Sequence, residues 1–392
     1  MLAFVTMTDA LRRPPNPIVS YIDTPDGASR LGAQVAGARE IAVDTEGASF
    51  HRFVDRVYLL QLSTRDVDAV VDPLAVPPPA ELTALMESPE VEVIFHDADY
   101  DLRLLRQDYG WKVTKIFDTR VAAQLLGIKS FGLAALLEKY FGVKLDKKFQ
   151  RADWSMRPLA PGMLDYAMLD TKHLLDLRDR MRAELERLGR MGWAQEEFTR
   201  LESTRWDPDE DDNGFLRMKG ARDLNRRELA VLRELVAWRD DVSRSMDRAT
   251  FRVVGNEPLL ELARGAPATA AALGAVNGMP RAILERRSTE ILDAVARGIA
   301  VPDDELPRFP RAAKWDRDPD FDDNVSKLRA VRDAAATRLD LDPGVLCSRD
   351  RLELIARKKP RTLAELSEID GLRRWQIDEM GTEFLAALSP YR

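Results

Sequence analysis

Residues 41–47, IAVDTEG, place two carboxylates in a stretch whose other residues read as a buried strand. Side chains alternate along an extended chain, so Ile41, Val43 and Thr45 share one face while Ala42, Asp44 and Glu46 share the other. A carboxylate withdrawn from water without a partner is costly, and two on one face more so, which makes a cation the natural tenant. Oxygen-only ligands favour a hard ion such as Mg²⁺ or Mn²⁺. Cys347 is the sole cysteine, which excludes a disulfide framework and any multi-cysteine zinc site. An isolated Asp-x-Glu is more often a solvated strand end, so the weight falls on the other acids of the chain.

Two further stretches carry acids where apolar residues are expected. In FHDADYDLRLL, residues 95–105, carboxylates at 97, 99 and 101 crowd a helix start, where each would suit a cap or the helix dipole. Asp101 shares a face with Leu105 and is the best inward candidate, although spacing alone barely separates it from Asp97 and Asp99. Further on, Met163, Ala167, Asp170 and Leu174 fall at i, i+4, i+7 and i+11, so Asp170 interrupts the apolar stripe of a helix, with Tyr166 one turn before it. A core acid satisfied by a hydroxyl or a backbone group is the structural alternative. The functional reading is a third metal ligand beside a phenol that binds substrate or water.

The elements that must position these residues follow from periodicity. PIVSYIDT reads as a strand, 24–38 as a surface helix, and 56–64 and 67–73 as strands that form an antiparallel meander with the 41–46 strand. A helix near 80–87, the strand VEVIF at 91–95 and the helix beginning ADYDLRLL give alternating strand and helix. Residues 116–127 and 131–142 read as two glycine-stopped amphipathic helices, and a long helix is expected from about Pro161 to Leu188. This first domain, 1–205, is α/β with a mixed sheet. The acidic segment WDPDEDDNG marks a linker over 206–219, and a Pro/Asp-rich stretch marks a second over 301–322. The pieces they delimit, 220–300 and 323–392, are all-α. EPLLELARGAPATAAAL in the first resembles RDRLELIARKKPRTLAEL in the second, an internal repeat of two helical modules.

With 392 residues, 45% hydrophobic and 32% charged, the chain reads as soluble and multidomain. No apolar run has membrane-spanning length and no N-terminal apolar segment with a cleavage site is present, so the expected location is the cytoplasm, with no membrane partner. A net charge of −7 argues against a protein that coats nucleic acid through bulk attraction, yet leaves room for a local basic groove. No heptad seam stands out, and a monomer is expected.

DTE at 44–46, HDADYD at 96–101 and YAMLD at 166–170, in that order, resemble the DEDD exonuclease superfamily in its tyrosine subgroup. RVYLLQLST, FDT at 117–119 and DWSMRPL at 153–159 are similar to the ribonuclease D family in particular, and the helical modules resemble HRDC domains, best in LRELVAWRDDVSRSMD. The resemblance implies an RNase H-like (DEDD exonuclease) α/β domain followed by two all-α HRDC-like domains. It also implies 3′-to-5′ hydrolysis of RNA, with tRNA precursors bearing single-stranded 3′ extensions as substrates. By carry-over, Asp44, Glu46, Asp101 and Asp170 would hold two divalent cations (Mg²⁺ or Mn²⁺) and Tyr166 would position the attacking water, which also selects Asp101 over 97 and 99. Two ions suit a phosphodiester: one lowers the pKa of a water and the other stabilises the leaving oxygen.

Many relatives carry a bulky residue directly after Asp-Thr-Glu, where this chain has Gly47. Phe50 or His51 would then substitute in contacts to the terminal nucleotide, with Thr45 also near in sequence, against the alternative that each is packing. Lys144, Lys147, Lys148 and Arg151 are candidates to line an RNA path, against the alternative of a solvated loop. Arg239, Arg244, Arg248 and Arg252 suggest a basic strip on the first helical module, diluted by Asp240, Asp241 and Asp247. His51, His96 and His173 read as structural rather than as ligands. Two other functions compete: a non-catalytic RNA-binding protein on a nuclease scaffold, and a DNA 3′-5′ exonuclease. All four acids and the tyrosine are present, which weighs against the first, and no polymerase or P-loop segment accompanies the domain, which weighs against the second.

Overall fold

The computed structural model describes residues 18–204, 213–310 and 318–388, so the centres of both expected linkers, 206–212 and 311–317, lie outside the described residues. A six-stranded mixed sheet organises the N-terminal portion. Its strands are β1 (Ile18–Ile22), β2 (Glu40–Glu46), β3 (Leu59–Ser63), β4 (Val67–Val71), β5 (Glu92–Phe95) and β6 (Ile116–Asp118), in the spatial order β1-β4-β3-β2-β5-β6. The β2–β3 and β3–β4 pairs are antiparallel, as the meander reading expects, and the remaining pairs are parallel. The strand with Asp44 and Glu46 is thus interior to the sheet, with Ile41, Ala42, Val43 and Thr45 buried and the two acids half-buried.

Period-two alternation sorts its residues between two cores. Ile41, Val43, Leu60, Leu62, Val93 and Phe95 pack with α1 (Pro25–Val35), α2 (Ala80–Met86) and α3 (Asp99–Tyr109). Ala42, Ile94 and Phe117 belong to the core formed with α4 (Thr119–Leu125), α5 (Leu133–Phe141), α7 (Leu174–Arg187) and α8 (Met191–Glu202), while α6 (Met163–Lys172) lies against β2, β3 and β4.

Two expected elements differ. Residues 116–127 are not one helix: Ile116–Asp118 is a strand, and only Thr119–Leu125 is helical. Ile116 and Phe117 are buried in opposite cores, an alternation that three residues are too few to display in sequence. Asp118 ends the strand and caps the helix, accepting from the N–H groups of Arg120 (2.8 Å) and Val121 (3.0 Å) and also of Ala98 (2.7 Å).

The long helix expected from Pro161 to Leu188 is instead broken at His173 (φ −106°, ψ −1°) into α6 and α7. No proline or glycine announces the break, because tertiary anchors on either side produce it. On one side, Thr171 Oγ1 and Ser63 Oγ share a 2.9 Å hydrogen bond that fixes α6 on β3. On the other, buried Arg178 pairs with Glu40 and Glu92, and Arg65 bridges Glu40 (2.5 Å) to Asp176 (2.8 Å) and Asp179 (2.6 Å), which ties α7 to the start of β2.

The chain divides into two compact units, one comprising 57–206, the segment up to Glu46 and 316–392, the other 47–56 and 207–315. The second unit contains the first helical module: α9 (Arg226–Met246), α10 (Thr250–Val253), α11 (Asn256–Gly265), α12 (Ala270–Gly274) and α13 (Arg281–Ala300). An Asn225/Glu228 capping box opens α9, and Trp238 is a core residue whose Nε1 donates to Glu290 at 3.0 Å. The basic strip expected along this helix is not a free surface. Arg239 is buried and donates to Asn256 (2.8 Å), Arg244 pairs with Asp241 (2.9 Å), and Arg252 donates to the Phe50 carbonyl (2.5 Å).

The second module comprises α14 (Phe321–Leu339), α15 (Pro343–Leu346), α16 (Arg349–Lys358), α17 (Leu363–Ser367) and α18 (Arg374–Leu388). The repeat visible in sequence has a structural counterpart: α11–α12 and α16–α17 each pass through a left-handed residue (Ala266, φ 39°; Lys359, φ 47°) to a helix capped by threonine (Thr269; Thr362). This module shares a core with α4, α5, α7 and α8. Trp193 of α8 stacks on Trp375 at 4.8 Å, and the Glu196 carboxylate accepts from the backbone N–H groups of Arg374 (2.7 Å) and Trp375 (3.1 Å). Glu196 therefore serves as the cap that α18 lacks in its own sequence. Glu196→Ala is expected to lower stability by about 1 kcal/mol, the usual worth of a cap, measured by chemical denaturation. No helix among the described residues is long and apolar enough to cross a membrane.

Candidate active site

β2 ends in the centre of the sheet, and the carboxyl groups of Asp44 and Glu46 meet that of Asp170, which α6 brings down over β3 and β2. One oxygen from each of the three lies within 4.8 Å of the others. Asp101 approaches from α3. It is 5% exposed, and its Oδ1 accepts from both the backbone N–H (3.0 Å) and the hydroxyl (2.5 Å) of Thr45. Thr45 sits on the opposite face of β2 from its two acidic neighbours, so the strand's own alternation places one acid holder between two acids.

Burial raises the Asp44 carboxyl well above its ordinary value, and the charges of Asp101, Asp170 and Glu46 push it further up. Glu46 rises for the same reasons. Burial also pushes Asp101 up to about 7, against the hydrogen bonds from Thr45, and Asp170 up to about 7. Every charge acting on Asp44 is thus negative. A cluster of oxygen donors with strong mutual repulsion is what a divalent cation would relieve, so the residues present fit such an ion.

Tyr166 lies on α6 one turn from Asp170. Burial and the charges of Asp170, Glu46 and Asp44 raise its phenol, which therefore keeps its proton at neutral pH and is able to donate a hydrogen bond. Its ring is supported by Trp154 (6.1 Å) and by the edge of Phe149 (5.9 Å). A cavity of about 280 Å³ opens here, lined by Leu145, Phe149, Gly162, Tyr166, Leu169 and Asp170. Gly162 starts α6 at φ 84°, a backbone region that favours glycine, with the Phe149 ring 3.6 Å from where a Cβ would stand. Phe149 escaped the sequence reading; its signal is an aromatic inside the basic run KKFQR at 147–151.

The remaining candidates divide. Lys148 lines the cavity with its Nζ 5.0 Å from the Phe149 ring centroid, while Lys147 and Arg151 are exposed on the same loop. Thr45 has both donors engaged by Asp101. Phe50 and His51 belong to the unit of the first helical module, where Phe50 meets Phe251 edge-on at 6.3 Å and the His51 carbonyl accepts from Ala249 N–H at 3.2 Å. His96 bonds Thr119 Oγ1 at 2.9 Å, and burial pushes it down to about 4, so it is neutral.

Comparison with known proteins identifies the family. Residues 19–186 match the 3′-5′ exonuclease family, and 228–295 and 322–388 each match the HRDC domain. Ribonuclease D of Gluconacetobacter diazotrophicus is 32% identical over 353 residues, 88% of this chain and 86% of that protein. The chain belongs to the ribonuclease D family. Ribonuclease D of Granulibacter bethesdensis is 31% identical over 351 residues, again 88% of this chain and 86% of the relative. The crystal structure of Escherichia coli RNase D, described as an exoribonuclease involved in structured RNA processing, superposes with a TM-score of 0.73 at 25% identity, covering 94% of this chain and 98% of that one. As a member of the ribonuclease D family the chain is a 3′-5′ exoribonuclease, built as an exonuclease domain with a mixed sheet followed by helical HRDC modules.

Proposed function

We propose that this exoribonuclease trims the 3′ ends of structured RNA, tRNA precursors with single-stranded 3′ extensions among them, and releases nucleoside 5′-monophosphates. The observation that carries the reading is the meeting of Asp44, Glu46 and Asp170 within 4.8 Å, with buried Asp101 beside Asp44. These four acids would hold two divalent cations, Mg²⁺ or Mn²⁺, which when bound would acidify the attacking water and stabilise the departing 3′ oxygen. Thr45 fixes Asp101 by two hydrogen bonds and so keeps that acid in place as substrate enters. Tyr166, a protonated donor beside Asp170, orients the attacking water. The Phe149-lined cavity receives a nucleobase, with Lys148 next to it, and Lys147 and Arg151 follow the phosphate backbone. Phe50 and His51 contribute RNA contacts. The chain acts as a monomer in the cytoplasm.

A tRNA with a 5′ label and a short 3′ extension tests this, incubated with Mg²⁺ or Mn²⁺ and with Asp101→Asn in parallel. Stepwise shortening from the 3′ end, lost with EDTA and in the variant, is expected. RNA that is bound but left intact with either ion would overturn the catalytic reading in favour of a binding protein. Tyr166→Phe is expected to lower turnover about 10²-fold, the cost of a misplaced reactant, with little change in metal affinity. Turnover equal to wild type would remove the positioning role from the phenol.

A further inference from the structure

One buried polar side chain beside the acid cluster has no partner. Gln61 on β3 is fully buried, and neither Oε1 nor Nε2 of its amide makes a hydrogen bond. Buried amides are almost always satisfied, and leaving one unsatisfied costs about 1–3 kcal/mol per group, so an orphan on both ends requires a reason.

Its position supplies one. In the antiparallel β2–β3 pair, Gln61 stands directly across from Asp44, and across β4 its neighbour is Val70. Directly opposed residues share a face, with Cβ atoms about 4.5–5.5 Å apart. Asp44 is therefore the acid that the amide faces across the ladder. Ser63, two residues along on the same face of β3, shows what the fold does with an ordinary buried polar group: its hydroxyl donates to Asp68 at 2.6 Å and bonds Thr171 at 2.9 Å. The same sheet face thus satisfies one polar side chain completely and leaves the next, nearest the cluster, open.

We propose that Gln61 is a positioning residue for the metal-binding carboxylates, a neutral amide whose N–H groups hold Asp44 in its ligating orientation when a divalent ion is bound. An amide suits this task because it donates without adding a fifth negative charge to a cluster that already repels itself. A lysine there would neutralise one acid and compete with the cation, and a leucine would leave Asp44 to turn freely. The inference rests on the proposed metal site.

Gln61→Leu separates this role from a purely structural one. If Gln61 only fills space, removing an unpaired buried amide for an apolar side chain of similar size leaves metal affinity unchanged and raises stability. If Gln61 orients Asp44, the affinity for Mn²⁺, titrated calorimetrically on the full chain without RNA, falls about 10–100-fold, as is usual when the hydrogen-bond partner of a ligand is lost. The upward shift in melting temperature caused by Mn²⁺ shrinks in parallel, while the melting temperature in EDTA stays at or above that of wild type. Gln61→Met, closer in shape, is expected to behave like Gln61→Leu. Wild-type affinity in both folded variants would overturn the proposal. A wild-type protein that binds no Mn²⁺ would instead remove the metal reading beneath it.

Discussion

Asp44→Asn is expected to lose at least about 10³-fold in turnover and, in EDTA, to melt a few degrees higher than the wild-type protein. The two effects have one origin. Asp44 is half-buried and crowded by Asp101, Asp170 and Glu46, whose charges all act against its own. Without a cation the native state carries that repulsion and the desolvation of the group; the amide carries neither, at nearly unchanged shape. A gain of about 1–2 kcal/mol is usual when an active-site group held under strain is neutralised. With a divalent ion bound as proposed, the balance would reverse, because the carboxylate would then be a ligand. Removing it forfeits several kcal/mol of charge stabilisation in the transition state, and roughly 4 kcal/mol corresponds to a factor of 10³ in rate. The measurements are turnover on a labelled RNA and thermal melts with EDTA and with Mn²⁺. A variant that is inactive but no more stable in EDTA would show that other groups compensate the crowded acids.

The largest expected loss of stability comes from Arg157→Met, about 3–5 kcal/mol by chemical denaturation. Arg157 grips nearly buried Asp72 in a two-point contact (Nε to Oδ2 2.5 Å, an Nη nitrogen to Oδ1 2.8 Å) and donates to the carbonyls of Tyr58, Trp154 and Met156. It thereby pins the loop with Trp154 and Phe149, which support Tyr166, to the sheet. Methionine keeps much of the volume but leaves Asp72 as a buried, underpaired charge, the expensive way to break an ion pair. Asp72→Leu added to Arg157→Met is expected to recover much of the loss, because no orphan charge remains.

The pH dependence provides a second check. Burial alone would raise the Asp72 carboxyl, yet the hydrogen bonds from Arg157 and Tyr21 outweigh it and hold the group below its ordinary value. A depressed carboxyl binds protons less readily in the native state than in the unfolded one. Its contribution is therefore fully present above the ordinary carboxylate pKa, about 3.9, and is lost as pH falls through the folded value. In Arg157→Met the dominant influence left on Asp72 is burial, which raises it, so the native state takes up a proton more readily than the unfolded chain. The deficit relative to wild type should then be widest near neutral pH and narrow as the solution is acidified.

The sequence by itself determined which residues stand out as candidates for chemistry. Asp44 and Glu46 are anomalies in an apolar strand, and Asp170 and Tyr166 in an apolar helix stripe, because burial patterns are local and periodic and an acid violating one is visible in a short window. The central meander, the two helical modules and their repeat were legible for the same reason. Asp101 was only the best of three by spacing, since its selection depends on which turn of α3 faces Thr45 across 56 residues of chain.

Tertiary structure alone decided what long-range contacts impose. Three-residue β6 exists because Ile116 and Phe117 can each enter a different core, and the break at His173 exists because α6 and α7 are anchored to different strands. Phe149 gains a role from Gly162 and Tyr166 folding against it, and Gln61 gains one from the strand register that sets it opposite Asp44. Periodicity reports which face a residue takes, but what it meets there is fixed only when distant segments pack and their polar groups are left with or without partners.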